Sequence, residues 1–567
     1  MMFTVIMPFL LIPLVGLGID ATVLYSVKVK LQTAVDGAAL AAAQSLNAGL
    51  DLAAQSKAAT LAADQFIRAN IVTGASAGKT GYWGSYNLND SNCTGSTSTA
   101  AGTPIGSGAP VTYDNSGTCV VISEDNQTMQ RSVSLAASVN VPLIFMRIMG
   151  FSNGTVTSRG TAARRDVVMV LVLDRSTSMA PPDGSINSLL PAATYFVSQF
   201  QPGRDQIGLV AFGGSAIIAY PPADWGKDPA TATLAGPDIH WADTPDSASA
   251  PNIYTSIKAI KAGSNTGTAE ALMFAYKELV AANKPGALNV IVLFTDGQPN
   301  GISAYFNPTP VTNSSVLSSS PCTYRTDSGN TARSMIGWIG QGGGFKSGTA
   351  TKNGSGINSL MQTNNTYRTT IGAWLANPNE PLIGGTPATN CKFATTGNGT
   401  NDYLDIKFPL ADRYGNSTSG PSSVGAAHYT ALDYQKSFIW TDNDQGCLNT
   451  SNGARTTWNP ATSSVADACQ VGLASWNAAD MAAYQIHQHA GTTIKPVIYC
   501  LGYEGSGGDD PEFMTRLANI PTNPSTGAAN SVYDSTQPKG MYIQVVKQAD
   551  IMPAFESIVA EILRISL

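Results

Sequence analysis

Two aspartates, two serines and a threonine stand out as residues whose types and spacing could do chemistry together. Asp174, Ser176 and Ser178 form a D-x-S-x-S string at the end of the apolar run DVVMVLVLD. Thr266 lies in NTGTAEAL, just before a helix-like stretch, and Asp296 closes the strand-like run VLF-TDG. Two carboxylates and three hydroxyls, with no His or Cys nearby, make a hard-oxygen donor set suited to Mg²⁺, Mn²⁺ or Ca²⁺ rather than zinc. Carboxylates that converge without a cation repel each other and shift their pKa values. A divalent ion resolves that repulsion and leaves a coordination position open for an acidic group on a partner protein. Turn and cap chemistry is the bland reading of D-x-S-x-S and T-D-G, but it does not predict all these positions together.

Such distant residues meet only if strands and helices bring them to one edge. DVVMVLVLD, QIGLVAFG, ALNVIVLFTDG, TTIKPVIYCLGY and MYIQVV are apolar runs of the fully buried, parallel-sheet type. Helix-patterned stretches alternate with them: INSLLPAATYFVSQF, TAEALMFAYKELVAA, AADMAAYQIHQHA, PEFMTRLANI and MPAFESIVAEILRI. This alternation predicts an α/β fold, a doubly wound, mostly parallel sheet built from residues 166–297 and 476–567. Between them, 298–475 is rich in Ser, Thr, Asn and Gly yet keeps Trp338, Trp374, Trp440, Trp458 and four cysteines. Pure linkers lack such aromatics, so an ordered, loop-rich insertion is expected. It leaves the sheet after a strand's C-terminal end, the ligand face of an open α/β sheet.

The N-terminus reads differently. Residues 1–19 carry no charge and end at Asp20, which is just long enough to span a hydrocarbon core. Leu24, Val27, Leu31, Ala34, Ala38 and Ala41 then recur at three- and four-residue spacing. A transmembrane anchor over 1–19 that continues as a long helix over 20–70 is the expectation. A cleaved signal peptide is the rival, but no basic region precedes the run and no break follows it. Strand-like runs punctuated by turn residues predict a small β-rich region over 71–165.

Composition narrows the function. Over 567 residues, 32 basic and 38 acidic side chains give a net charge of −6, and only 12% of residues are charged. A net-acidic chain without a Lys/Arg block is a poor nucleic-acid binder. Seven cysteines are too few for a disulfide scaffold; three disulfides plus a buried Cys500 thiol would fit an oxidising compartment, and seven reduced thiols are the alternative. Lys28 and Lys30 follow the apolar run, which by the positive-inside rule favours the cytoplasm for that side, against the cysteine pattern. With four His and no nucleophile–base pair or cofactor loop, no enzyme is expected.

DRSTSM, TGTAEAL and VLFTDGQ resemble, in order and in structural context, the metal-ion-dependent adhesion site (MIDAS) of von Willebrand factor A (VWA) domains. The resemblance implies that Ser176, Ser178 and Thr266 bind the metal directly or nearly so, and that Asp174 and Asp296 bind it directly or through water. Thr266 is preferred to Ser264 for its spacing from Leu272. The apolar run followed by GIDATVLYSVKVKLQTAVDGAALAAAQSL resembles the N-terminal segment of TadE/TadG-like proteins of Flp (tight-adherence) pilus assembly, and VPLIFMRIMGFSNGTVTSRGTAAR resembles their β region. This resemblance implies that the β-rich region over 71–165 is pseudopilin-like. TadG-like members join such an anchor to a C-terminal VWA domain. The implied protein is anchored by a single pass in the bacterial inner membrane, with the bulk of the chain outside the cytoplasm. Its adhesion-site Mg²⁺ (or Mn²⁺ or Ca²⁺) would bind an acidic side chain of a pilus component or surface protein. A structural pilus or envelope anchor, with the VWA domain as scaffold, is the alternative.

Other motifs are weaker. GASAGKT at 74–80 imitates a nucleophile elbow and a Walker loop but follows a helix-like stretch and has the wrong spacing. Asp442-Asn-Asp444-Gln-Gly446 lacks the calcium-loop glycine position and terminal Glu. His487 and His489 are two apart on a helix and read as surface histidines. Asp510-Pro511-Glu512 reads as an ordinary helix start.

Overall fold

A computed structural model describes residues 2–46, 52–67, 69–70, 111–115, 118–125, 130–182, 184–230, 232–243, 251–263, 266–296, 298–306, 335–340, 357–361, 410–418, 468–488, 493–505 and 508–566. GASAGKT, the Asp442–Gly446 segment, His489, Cys93, Cys322, Cys391 and Cys447 lie outside these, as do the side chains of Cys119, Cys469 and residues 1–14. The chain divides into two compact units, Met1–Asp166 with Leu563–Leu567, and Val167–Ile562.

In the first unit, α1 (Met2–Ser45) and α2 (Leu52–Ile67) lie against a four-stranded antiparallel meander of β1 (Val111–Asn115), β2 (Thr118–Asp125), β3 (Gln130–Pro142) and β4 (Asn153–Arg165). The spacing predicts one helix reaching Asn70; the chain forms two instead. Asn47, Gly49 and Asp51 fall between them, residue types that stop helices or start new ones. Helix α2 packs along α1, with Ala59, Ala63 and Ile67 in one core with Val35, Ala38 and Ala42. Strands β3 and β4 alternate buried and exposed residues, so Val133, Leu135, Val139 and Val156 complete this core on one face of the sheet.

The second unit has a six-stranded sheet in the order β13-β12-β8-β5-β6-β7. Its strands are β5 (Val167–Asp174), β6 (Gln206–Phe212), β7 (Ala216–Tyr220), β8 (Leu288–Thr295), β12 (Val497–Tyr503) and β13 (Met541–Val545). All neighbours pair in parallel except β6 with β7. Every residue of β5, β8 and β12 is buried, as a sheet covered on both faces requires, and Cys500 is a buried free thiol inside β12. The flanking helices are α3 (Ile186–Ser198), α4 (Ile253–Ala259), α5 (Thr268–Ala282), α6 (Ala468–Gln488), α7 (Pro511–Leu517) and α8 (Ile551–Ser566). Phe555 of α8 stacks on Phe294 of β8 and meets Phe196 of α3, while Trp476 of α6 packs on Phe513 of α7.

Several details differ from the sequence pattern. The edge strand β7 and helix α4 were not visible as separate runs. Helix α6 begins at Ala468, inside the stretch expected to be insertion. Beyond β8, β9 (Gly301–Phe306), β10 (Met335–Gly340) and β11 (Ile357–Met361) form a small antiparallel sheet in the order β11-β10-β9. His487 is buried, not a surface residue: its ring nitrogen Nε2 lies 2.8 Å from the Leu517 carbonyl oxygen, and burial lowers its pKa. Asp510 caps α7, accepting from the Phe513 N–H at 2.9 Å ahead of Pro511 at the first turn.

Candidate metal centre

The parallel register explains why the aspartates meet. Leu173 of β5 is paired with Phe294 of β8, so Asp174 comes beside Thr295 and Asp296 follows one residue on. Asp174 is also paired with Phe212 of β6, and the ladder continues one step as the Arg175 N–H donates to the Phe212 carbonyl at 2.7 Å. In a parallel sheet all these strand ends lie at one edge.

At that edge four of the expected residues form one hydrogen-bonded group. The Ser176 N–H donates to Asp174 Oδ1 at 2.7 Å, and the Thr295 hydroxyl donates to Asp174 Oδ2. The Ser178 hydroxyl donates to Asp296 Oδ1 at 2.6 Å, with the Ser176 hydroxyl 3.4 Å from the same oxygen and 2.9 Å from Ser178 Oγ. Asp174, Ser176 and Asp296 are buried. Among the described residues Asp296 Oδ2 is buried without a hydrogen-bond partner.

Thr266 reaches the same edge through its backbone. Its N–H donates to Asn300 Oδ1 at 2.7 Å, and the N–H groups of Asn300 and Gly301 donate to its carbonyl at 3.0 and 3.1 Å. The Gly263 N–H donates to the Arg175 carbonyl and the Gly267 N–H to the Gly213 carbonyl, both at 2.6 Å. Gly267 has no room for a side chain, since a Cβ there would stand 2.7 Å from the Gly214 carbonyl oxygen. The hydrogen bonds that join Asp174, Ser176, Ser178 and Asp296 do not include the Thr266 hydroxyl.

Burial raises both carboxyl pKa values, Asp174 to about 6 and Asp296 to about 8, the latter also through the charge of Asp174. This is the electrostatic signature of a place that lacks positive charge. Among the described residues no group of three or more His, Cys, Asp or Glu side chains could hold a metal. The donor set fits a hard cation: two carboxylates, hydroxyls and one spare buried carboxylate oxygen.

Sequence reasoning missed three contributors. Thr295 and Asn300 lie inside and just after a quoted motif, where a side chain one or four residues from Asp296 was an available clue. The third, Arg413, gave no signal in a Ser/Thr/Asn-rich stretch. It is buried, with Nε 2.9 Å from Glu270 Oε1 of α5 and Nη2 3.0 Å from Asp228 Oδ1. Its N–H donates to the Ser303 carbonyl of β9 at 2.9 Å. Glu270 also accepts from the Ala216 N–H at 2.9 Å, so residues 410–418 are fastened to the start of α5, the helix that Thr266 and Gly267 precede.

Family comparisons fall on the same two units. Residues 1–45 match the Flp pilus-assembly TadE/G-like family and residues 169–320 match the von Willebrand factor type A domain. The second unit therefore contains a VWA domain, and the chain begins with a TadE/G-like segment. No curated protein matches the chain. Among solved structures, it is similar to a mutant of the PilB minor pilin from Streptococcus sanguinis at 12% identity, covering 78% of this chain and 76% of that one with a TM-score of 0.29. It is similar to the vWF domain of the type V pili tip protein Mfa5 from Porphyromonas gingivalis at 16% identity, covering 71% and 96% with a TM-score of 0.29. A third is the pilus adhesin SpaC from Lactobacillus rhamnosus GG at 11% identity, covering 80% and 36% with a TM-score of 0.30.

Proposed function

We propose that the chain is a membrane-anchored, extracytoplasmic VWA protein of Flp pilus assembly that binds an acidic group of a protein partner through a divalent ion. Asp174, Ser176, Ser178, Thr266 and Asp296 would hold the ion, with Mg²⁺ as the first choice and Mn²⁺ or Ca²⁺ as alternatives. When bound, the ion supplies a hard positive charge with an open position for a carboxylate. The chain's own residues keep two carboxylates buried at the sheet edge, present hydroxyls beside them, and fix the Thr266 backbone to Asn300. The insertion leaves the sheet just after Asp296 and would gate or extend the binding face.

The observation that carries this reading is the spare oxygen of Asp296, buried beside a second carboxylate with hydroxyls on its other oxygen. An unpartnered oxygen alone would not single this acid out, since Glu278 of α5 also has carboxylate oxygens without a hydrogen-bond partner among the described residues. What supports the reading is its coincidence with the hydroxyls and second carboxylate at the strand ends. Calorimetry of Mg²⁺ and Mn²⁺ binding, wild type against Asp174→Ala, tests it: heat is expected from the wild type alone, and equal heats from both would sink the assignment.

The anchor part of this reading rests on residues 1–19. Among the described residues no helix is long and apolar enough to cross a membrane; the support comes from the uncharged run itself and the TadE/G-like match over 1–45. A structural role draws on the first unit, which has a core of its own. If Asp296→Ala retains pilus assembly and surface attachment while loss of α1 abolishes both, that second reading replaces the first.

A further inference from the structure

The loop between β3 and β4 has the wrong chemistry for a water-facing hairpin connection, which normally carries Gly, Asn, Asp or Ser. From Pro142 to Asn153 it reads PLIFMRIMGFSN, with Arg147 its one charge. Ile144, Met149 and Phe151 stand 65%, 61% and 56% exposed. A 3₁₀ turn over Met146–Met149 closes on Gly150 at φ +95°, so the exposed side chains belong to a defined turn.

Contacts within the first unit fix this loop at one height along α1. The Asp20 carboxylate accepts from the N–H groups of Ile144, Phe145 and Met146 at 3.1, 2.9 and 2.7 Å. Phe145 fills the notch at Gly16, where an added Cβ would stand 2.6 Å from the Phe145 side chain. Leu24 of α1 lies against Gly154 just beyond the loop. At that height α1 also exposes Val15, Leu17 and Ile19. Asp20, the first charge after the apolar run, is covered, so it does not interrupt the surface that these residues form.

We propose that the Leu143–Ser152 loop is a second membrane-contacting element, dipping Ile144, Met149 and Phe151 into the headgroup–acyl boundary beside the end of the anchor. This rests on the anchor reading of residues 1–19. The occupant is the bilayer because the exposed loop residues continue the uncharged run at the height where that run ends. Arg147 is the sort of long basic side chain that rests in a lipid interface with its charged head outward. The loop also gives Asp20 a purpose: it ties the loop's backbone to α1 and removes the one carboxylate that would oppose insertion. With two attachments side by side, the first unit would be held at a fixed tilt to the membrane plane instead of swivelling about one helix.

Photolabelling the full chain in phosphatidylcholine–phosphatidylglycerol vesicles with a lipid-soluble diazirine, followed by peptide mapping, tests the proposal. Exposed apolar residues of the VWA unit, Leu410 and Val546, serve as aqueous references. Ile144, Met149 and Phe151 are expected to take up roughly tenfold more label than those references, together with residues 1–19. Labelling of 1–19 with the loop at the reference level overturns the loop proposal and leaves the anchor standing. Absence of label from both overturns the anchor reading and this one with it. Loop residues that cross-link to a second copy and take up no lipid label, even with vesicles diluted to one chain each, assign the surface to that copy and overturn the bilayer as its occupant.

Discussion

Asp20 in the first unit and Asp296 in the VWA unit are both buried acids placed after long apolar runs, yet their surroundings differ in kind. Asp20 has both oxygens occupied by three backbone N–H groups. Asp296 has hydroxyls on one oxygen, no partner among the described residues on the other, and a second buried carboxylate for a neighbour. Glu270, also in the VWA unit, is balanced by a cation from the protein itself, Arg413. Burial therefore says little about how an acid is satisfied: of these three, only Asp296 combines an unpartnered oxygen with the lack of an ion-pairing cation among the described residues.

The largest test of that distinction removes the protein's own cation. Arg413→Ala leaves Glu270 and Asp228 buried without their partner, and is expected to cost about 3–5 kcal/mol in chemical denaturation of the VWA unit. Replacing the acids and the arginine together with apolar residues of similar volume should recover most of the loss. A cost within experimental error of zero would mean that Glu270 is no better compensated than Asp296, which breaks the contrast.

Asp296→Ala should behave in the opposite way. Mg²⁺ affinity is expected to fall at least about 100-fold, or ~2.7 kcal/mol, while the metal-free protein keeps or gains stability. The pH dependence follows from the same cause. Folding raises the Asp296 carboxyl above its ordinary value of 3.8 to about 8, and Asp174 to about 6. The folded state thus holds protons that the unfolded state has released. The associated stability is fully present below the ordinary aspartate range and is lost as pH rises through these folded-state values. Thermal unfolding without divalent ions should show a melting temperature that falls from about pH 5 to about pH 8, a slope that Mg²⁺ flattens and Asp296→Ala largely removes. A metal-free protein equally stable across this range would place Asp296 with Asp20, as a satisfied structural acid.

What sequence could show follows the same division. The buried strands, the D-x-S-x-S string and the T-D-G end were legible because each is local: continuous apolar runs mark doubly covered strands, and strand ends mark the edge. Asp174 and Asp296 come together by register alone. The break between α1 and α2 escapes a periodicity reading because both helices share the same Ala-rich pattern, and Asn47, Gly49 and Asp51 are its one mark in the sequence. Arg413 was illegible for a deeper reason. Its partners Asp228 and Glu270 lie far back in the chain, and no local pattern in a Ser/Thr/Asn-rich stretch reports a pairing across that separation.

Asp20→Ala should be milder than Arg413→Ala. Three loop N–H groups lose a charged acceptor, but they are only partly buried and water can replace some of it, so about 2 kcal/mol is expected. Faster amide exchange at Ile144–Met146 would locate the loss, whereas unchanged exchange there would show that the carboxylate does not hold the loop.

The smallest effect sharpens the contrast from the packing side. Gly37 lies in α1 where an added Cβ would come within 2.5 Å of the Phe66 ring of α2. Gly37→Ala gains about 1 kcal/mol of helix propensity and meets an overpacking cost of about 1–3 kcal/mol. Phe66 is 38% exposed and can swing outward, which puts the cost at the low end, about 1 kcal/mol, and the net change near zero. Gly18, with nothing within 4 Å of its added Cβ, should show only the gain. If both substitutions stabilise the first unit equally in thermal unfolding, α1 and α2 are not in the close contact that distinguishes this packing-limited unit from the charge-limited edge of the VWA domain.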